Sequence, residues 1–403
     1  MYGFIRVGCA IPKCKLADCI YNKDKLIQLM QKAVEKQIQV LVFPELSITA
    51  YTCGDLFFQF SLLESAQKGL SDIASASQGM DIFTVVGLPI AVDNQIFNCA
   101  VAIYRGQILG AVPKTTLPNY GEFYEKRWFS PASQLASKEI MLCGQRVPIG
   151  TDLLFTPEQI PHCKIGIEIC EDLWSPIPPS SYQALAGATL LLNPSASNEL
   201  ATKYDYRKKL ISQQSSRCIG AYAYTSSGVG ESTQDMVFSG HGMICENGSI
   251  LSESKRFLKE SQIIYADVDL ELLANDRRKN SSFMDSQTAL PCYREITFSM
   301  KPQWAVDELE RVIKPQPFIP ENNAFLDQRC QDIFNIQLVG LARRMEHTQS
   351  KSLIIGISGG LDSTLALLVA VKACDYLNIS RNHIIGITMP GFGTTDRTYH
   401  NAI

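Results

Sequence analysis

The stretch Lys164-Ile-Gly-Ile-Glu-Ile-Cys170-Glu-Asp-Leu-Trp174 reads as a strand that ends on a candidate nucleophile. Ile165, Ile167 and Ile169 alternate with Gly166, Glu168 and Cys170, the period of a strand that buries one face. The pattern stops at Glu171-Asp172, so Cys170 falls at a strand end. In a layered α/β protein such a position meets a cleft, where a substrate can reach a thiol. A free cysteine is also among the most buried residue types, so a purely structural Cys170 is the alternative.

Working outward, short apolar runs alternate with helical spacings. Phe4–Val7, Val40–Phe43, Ile82–Val86, two strands between Gln95 and Lys114, Thr189–Leu192, Ala221–Tyr224 and Ile263–Asp267 read as strands. Leu26, Leu29, Met30, Ala33 and Val34 keep helical spacing behind a cap at Asn22 or Asp24. Asp55–Ser77, Pro179–Gly187 and Tyr204–Cys218 read as further helices, the last with a basic exposed face at Arg207, Lys208 and Lys209. Strands alternating with helices predict an α/β layered sandwich.

Composition narrows the function classes. The 403 residues predict two domains, or one large domain and part of another. A formal net charge of −3 gives no electrostatic case for nucleic acid or a membrane surface. No apolar run approaches the ~18 residues of a membrane helix. The 13 Cys are scattered, without a C-x-x-C pair or a His at ligand spacing. That pattern argues against a disulfide framework or a zinc site and for a reducing cytoplasm.

Glu45, Lys114 and Cys170 each follow an apolar strand, so strands of one sheet could deliver all three to one edge. A thiol with its ordinary pKa of about 8.5 is only a few per cent thiolate at neutral pH. A carboxylate can take its proton, and an ammonium can stabilise both the thiolate and the oxyanion formed at a carbonyl. For Glu45 alone a solvated turn is the competing reading. The loop carrying Lys114, Tyr120, Glu122, Glu125 and Arg127 could equally be a polar surface loop.

Phe43-Pro-Glu45-Leu, Pro113-Lys114-Thr-Thr-Leu-Pro-Asn-Tyr120 and Ile169-Cys170-Glu-Asp-Leu-Trp174, in this order, resemble the three catalytic blocks of the nitrilase, or carbon–nitrogen hydrolase, superfamily. The resemblance implies a four-layer α-β-β-α sandwich over residues 1–275 and hydrolysis of an amide or nitrile. It makes Glu45 the base, Lys114 the oxyanion stabiliser and Cys170 the nucleophile.

Beyond Glu271 the composition changes. The cluster Arg277-Arg-Lys279 and Pro302, Pro315, Pro317 and Pro320 predict a linker over 276–320. An amphipathic helix over Asp327–Met345 leads to Ser352–Gly356, read as a fully buried strand. The turn Ser358-Gly359-Gly360-Leu361-Asp362-Ser363 then opens a helix. Such a turn presents backbone N–H groups and a helix dipole to an anion. It lacks the Gly-Lys-Ser/Thr of a P-loop. Ile384–Thr388 reads as a second buried strand.

The string Ser358–Ser363 resembles the pyrophosphate-binding loop of the ATP pyrophosphatase superfamily. A nitrilase-like amidase upstream of such a loop resembles the glutamine-dependent NAD⁺ synthetase family. That resemblance implies hydrolysis of glutamine at the first domain. The ammonia then amidates deamido-NAD⁺ adenylated with ATP and Mg²⁺ at the second, Rossmann-like domain over 321–403. It carries glutamine binding onto Tyr120, Ser197, Lys203, Tyr51 and Glu171. ATP binding falls on Gly356, Ile357, Ser358, Gly359, Gly360, Leu361, Asp362 and Ser363, and no protein metal site is expected. At 203 the expected residue is Arg, and Lys lacks its bidentate fork. Small-molecule substrates, a homo-oligomer and no nucleic-acid or membrane partner complete the expectation. With its end at Ile403 the chain is expected to be part of a longer protein. A free-standing amidase and a non-catalytic scaffold remain alternatives.

Overall fold

Apolar side chains leave both faces of most strands, and the architecture follows from that. The computed structural model describes residues 3–289, 291–301, 308–313, 315–319, 323–392 and 395–403. Pro302 and Pro320 of the expected linker lie outside the described residues. The chain forms two units, Met1–Val312 and Ile313–Ile403.

The first unit runs β1 (Phe4–Ile11), α1 (Cys19–Glu35), β2 (Val40–Val42), α2 (Phe60–Ala76), β3 (Phe83–Val92), β4 (Gln95–Tyr104) and β5 (Gln107–Pro113). A hairpin, β6 (Glu139–Leu142) and β7 (Gln145–Pro148), precedes β8 (Leu153–Pro157), β9 (Ile165–Ile167) and α3 (Pro179–Leu185). Then follow β10 (Leu190–Ser195), α4 (Lys203–Arg217), β11 (Ala221–Ser226), β12 (Gly242–Glu246), β13 (Ser249–Glu253) and β14 (Gln262–Asp269). The unit closes with α5 (Leu270–Lys279), α6 (Ser281–Asp285) and β15 (Arg294–Phe298).

One sheet has the order β14-β1-β2-β3-β4-β5 and the other β13-β12-β11-β10-β9-β8-β15. Val40 and Val42 of the first pack against Ile165, Ile167, Leu190 and Leu192 of the second in one apolar layer. Leu41 points the other way and packs with Leu26, Met30 and Leu70 of α1 and α2. Leu191 likewise turns outward to Ala184 and Ile211 of α3 and α4. Strands buried on both faces, covered by helices, make the four-layer α-β-β-α sandwich expected from the sequence.

Several local expectations are corrected. Asp18, not Asn22 or Asp24, caps α1 by accepting from Tyr21 N–H at 2.9 Å. Asn22 instead ties the loop of Lys15 and Ile48 to the helix. Glu168, on the phase opposite the isoleucines, does not face solvent, because β9 is covered on both sides. Arg207 is fully buried, whereas Lys208 is half-buried and Lys209 exposed. Part of the stretch read as linker is built into the sandwich. β15 pairs in parallel with β8, and Phe298 packs on Phe83 and Tyr104 in the central layer.

In the second unit α7 (Asn323–Thr348) precedes β16 (Leu353–Gly356), α8 (Leu361–Tyr376), β17 (Ile384–Ile387) and α9 (Asp396–Ala402). β16 and β17 pair in parallel as a two-stranded sheet. Ile354, Ile385 and Ile387 are exposed, so these strands are not fully buried as their composition suggested. Ala342, Met345, Ala373 and Cys374 form the buried cluster among the described residues here, which covers one side only.

Candidate active site

The three blocks come from different places in the sandwich. Glu45 follows β2 and Lys114 follows β5 in the six-stranded sheet, while Cys170 follows β9 in the seven-stranded one. The expectation of a single sheet is therefore corrected: the rim where both sheets end assembles the site. Glu45 N–H donates to Ser195 O at the end of β10 at 3.2 Å, stitching the sheets together there. Gly87 makes room for this turn. A Cβ on it would stand 2.2 Å from Leu46 N.

Lys114 is the hub. Its Nζ lies 2.6 Å from Glu45 Oε1 and 2.6 Å from Glu125 Oε1. Asn98 Nδ2 donates to the same Glu45 oxygen at 2.6 Å, and Tyr51 OH to the same Glu125 oxygen at 2.7 Å. The remaining carboxylate oxygens, Glu45 Oε2 and Glu125 Oε2, have no hydrogen-bond partner among the described residues. Burial alone would push the Lys114 ammonium down, but Glu125 and Glu45 hold it well above its usual range. Burial and then Glu45 raise Glu125, against the pull of Lys114. Glu125 and Asn98 were not singled out from the sequence. Only the Glu in the loop after Lys114 hinted at the former.

Cys170 opens a short 3-10 turn, Cys170–Trp174, with φ of 45°. A left-handed backbone costs a residue with a Cβ on the order of 1–2 kcal/mol, so something must hold it. Cys170 N–H donates to Asn193 Oδ1 at 3.2 Å. Asp172 accepts from Ile169 N–H at 3.0 Å and from Thr116 N–H at 2.7 Å, tying this turn to the Lys114 loop. The thiol is pushed well above its ordinary value by burial and by Glu45. Lys114 and the Ala196 N–H act in the opposite direction. At rest it is a neutral thiol beside an ammonium and two carboxyl groups, so its proton has acceptors close at hand.

Outside the thiol lies a cavity of about 270 Å³. Cys170, Tyr120, Glu171, Ser197 and Lys203 all line it, together with Trp174. Tyr120 OH donates to Glu171 Oε1 at 2.7 Å. Lys203 donates to Asn198, and its Nζ lies 5.3 Å from the Trp174 ring centre and 5.6 Å from that of Phe123. Burial pushes the Lys203 ammonium down. Tyr51 stands apart from the other proposed glutamine contacts, buried behind Lys114 against Glu125. Arg207 reaches Ser197 Oγ at 3.4 Å from beneath, held by Glu199 and by His241 Nδ1 at 3.0 Å.

In the second unit the turn after β16 places Ser358, Gly359 and Gly360 ahead of α8, with Gly360 as its N-cap and Gly359 at φ of 78°. Gly356 ends β16, Ile357 N–H donates to Ile387 O at 2.8 Å, and Leu361 and Asp362 begin α8. Ser363 Oγ donates to Gly360 O at 3.0 Å and lies 3.2 Å from Ser358 Oγ. The turn is largely exposed. Among the described residues no group of three or more His, Cys, Asp or Glu could hold a metal ion.

Comparison with known proteins places both segments of the chain in known families. Residues 7–278 match the carbon-nitrogen hydrolase family, and residues 334–403 match NAD synthase. A glutamine-dependent NAD(+) synthetase of Mycobacterium tuberculosis is 38% identical over 406 aligned residues, covering 100% of this chain and 60% of the relative. One from Thermotoga maritima is 29% identical, covering 99% of this chain and 62% of the relative. The chain thus spans about three-fifths of the length of these relatives. The crystal structure of a glutamine-dependent NAD(+) synthetase from Cytophaga hutchinsonii shares the fold, with a TM-score of 0.59 at 23% identity. It covers 98% of this chain and 62% of its own. With a nitrilase sandwich that sets Cys170 at a cavity wall over the Lys114–Glu45 pair, and a match running from residue 7 to 278, the chain belongs to the carbon-nitrogen hydrolase family.

Proposed function

We propose that this chain supplies the glutamine-hydrolysing unit and the beginning of the synthetase unit of a glutamine-dependent NAD⁺ synthetase. The observation that carries the reading is the position of Cys170, between a small cavity into which Tyr120, Glu171, Ser197 and Lys203 bring polar groups and the buried Lys114–Glu45–Glu125 cluster, in a chain that continues into a segment matching NAD synthase.

Glutamine would enter with its carboxamide toward Cys170 and its charged end among Tyr120, Glu171, Ser197 and Lys203. Sγ attacks the carboxamide carbon as Glu45 takes the thiol proton, and Lys114 stabilises the oxyanion. Glu45 returns the proton to the leaving nitrogen, ammonia departs, and a thioester remains on Cys170. Water, deprotonated by Glu45, adds to the thioester carbon; the C–S bond breaks, Glu45 returns the proton to the departing Sγ, and glutamate is released. Glu125 keeps Lys114 charged throughout, which is its role in this proposal.

The turn Gly356–Ser363 suits a phosphate: its glycines permit close approach, and Ser358 and Ser363 offer hydroxyls at the start of α8. Mg²⁺ is commonly held through substrate phosphates and water, and would accompany ATP. Amidation of adenylated deamido-NAD⁺, a homo-oligomeric assembly and a cytoplasmic setting belong to the same proposal.

The test is ammonia release from glutamine by the wild type and by Cys170→Ala. Release by the wild type that is lost in the variant is expected. Release from a range of small amides but not from glutamine would favour a free-standing amidase.

A further inference from the structure

Behind the nucleophile lies a buried chain of polar groups that the hydrolysis steps do not use. Asn193 Oδ1 accepts from Cys170 N–H at 3.2 Å and from Ser195 Oγ at 2.7 Å. Its Nδ2 donates to Tyr222 Oη at 2.9 Å, and Tyr222 in turn donates to Glu168 Oε1. The other Glu168 oxygen accepts Ser180 N–H at 2.7 Å. Asn193 and Tyr222 are 0% exposed and Glu168 1%. The chain joins β9, β10, β11 and the start of α3, so its members sit on rigid elements.

The order of donors matters. An asparagine amide has one acceptor end and one donor end, and only the acceptor end can receive the Cys170 N–H. Tyr222 fixes that choice by accepting from Nδ2, and it can do so because its own hydrogen goes to Glu168. A carboxylate accepts on both oxygens, and so serves Tyr222 and Ser180 at once. A protonated or amide side chain that keeps an acceptor oxygen for the Ser180 N–H turns a donor toward Tyr222 Oη, which reverses the hydroxyl and with it the partner offered to Asn193 Nδ2.

We propose that Asn193, oriented by Tyr222 and Glu168, is a positioning residue that holds the Cys170 backbone left-handed and aims its thiol at the cavity. The inference rests on the assignment of Cys170 as the nucleophile for glutamine. It extends that assignment to groups that touch neither substrate nor thiol.

Burial raises Glu168 to about 7, and Asp172 acts in the same direction, against the hydrogen bonds of Tyr222 and Ser180. The other titratable groups facing it are Cys218 after α4 and Tyr293 before β15. The relay is therefore expected to weaken as pH falls through about 7 and the carboxyl takes up its proton.

The experiment uses Tyr222→Phe and Glu168→Gln, which change few atoms, and reads two rates. One is alkylation of Cys170 by iodoacetamide, followed by mass spectrometry from pH 5.5 to 8.5 (the range being roughly that around the carboxyl titration). The other is kcat and KM for glutamine hydrolysis. A displaced reacting atom costs up to about a hundredfold, so a fall of roughly 10- to 100-fold in both rates is expected, with KM unchanged. The ratio of wild type to E168Q should rise through about pH 7, while the ratio of Y222F to E168Q stays flat. Wild-type alkylation rates and pH profiles in both variants would overturn the proposal, as would losses that merely track the unfolded fraction. Because alkylation needs no glutamine, a wild type that releases no ammonia would defeat the assigned substrate and still leave this relay readable.

Discussion

Lys114 Nζ stands 2.6 Å from Glu45 Oε1, and both side chains are 0% exposed. An ammonium so placed is stable only because carboxylates surround it, and the reverse holds for them. Breaking such a buried pair by removing one partner leaves uncompensated charge. Lys114→Met should therefore lower the unfolding free energy by about 3–5 kcal/mol, beyond abolishing activity. A urea midpoint equal to that of the wild type would contradict the buried network.

Thiol labelling should depend on the reagent. Among the described residues Cys292 and Cys330 are exposed, whereas Cys170 is 6% exposed and pushed up by burial. A bulky, generic maleimide should thus label Cys292 and Cys330 first. A chloroketone shaped like glutamine should reverse the order, because it fills the cavity and meets the thiol beside Glu45. Mass spectrometry of the peptides decides, and maleimide reaching Cys170 first would count against this account.

Gly87 is pressed against the Glu45 turn, with Leu46 N 2.2 Å from where a Cβ would be. Gly87→Ala must move backbone rather than a flexible side chain. The expected cost is about 1–3 kcal/mol, together with a loss of hydrolysis larger than the loss of folded protein. Full specific activity in the folded fraction would show that Glu45 tolerates the shift.

His241 gives a pH signature with a definite sign. Burial and the nearby Arg207 lower it from 6.5 to about 4, while Glu253 opposes them. The unfolded chain then binds a proton that the folded one refuses, so its contribution is intact above pH 6.5 and is lost as pH falls toward 4. Between pH 7 and pH 4 the wild type should lose roughly 2–4 kcal/mol more than His241→Gln. The raised carboxyls Glu168 and Asp172 act the other way, but they are common to both proteins and cancel in the difference. Parallel stability curves for the two proteins would remove His241 as the cause.

Arg207 and Glu168 illustrate where local reading stops. Arg207 sits in sequence beside Lys208 and Lys209 and was assigned with them to a solvated face. In the folded chain it turns beneath Ser197, where Glu199 and His241 receive it. Glu168 occupied the polar phase of an alternating strand, yet a strand inside a sandwich has no solvent phase, and Tyr222 and Ser180 supply its partners. The exposed two-stranded sheet of the second unit is the converse. Apolar strands predicted burial, and no layer among the described residues covers one of their faces.

What the sequence by itself determined are properties set within a few residues of chain. Short apolar runs specify the strands, their breaks place Glu45, Lys114 and Cys170 at strand ends, and two glycines after β16 specify a tight turn ahead of α8. Tertiary structure alone decided which ends meet. The rim of two stacked sheets, not the edge of one, brings Cys170 to Lys114, and Glu125 and Asn98 join because their loop and strand close over it. Whether a carboxyl or guanidinium is buried depends on residues tens of positions away that remove its water and replace the lost hydrogen bonds, and no local pattern records that exchange.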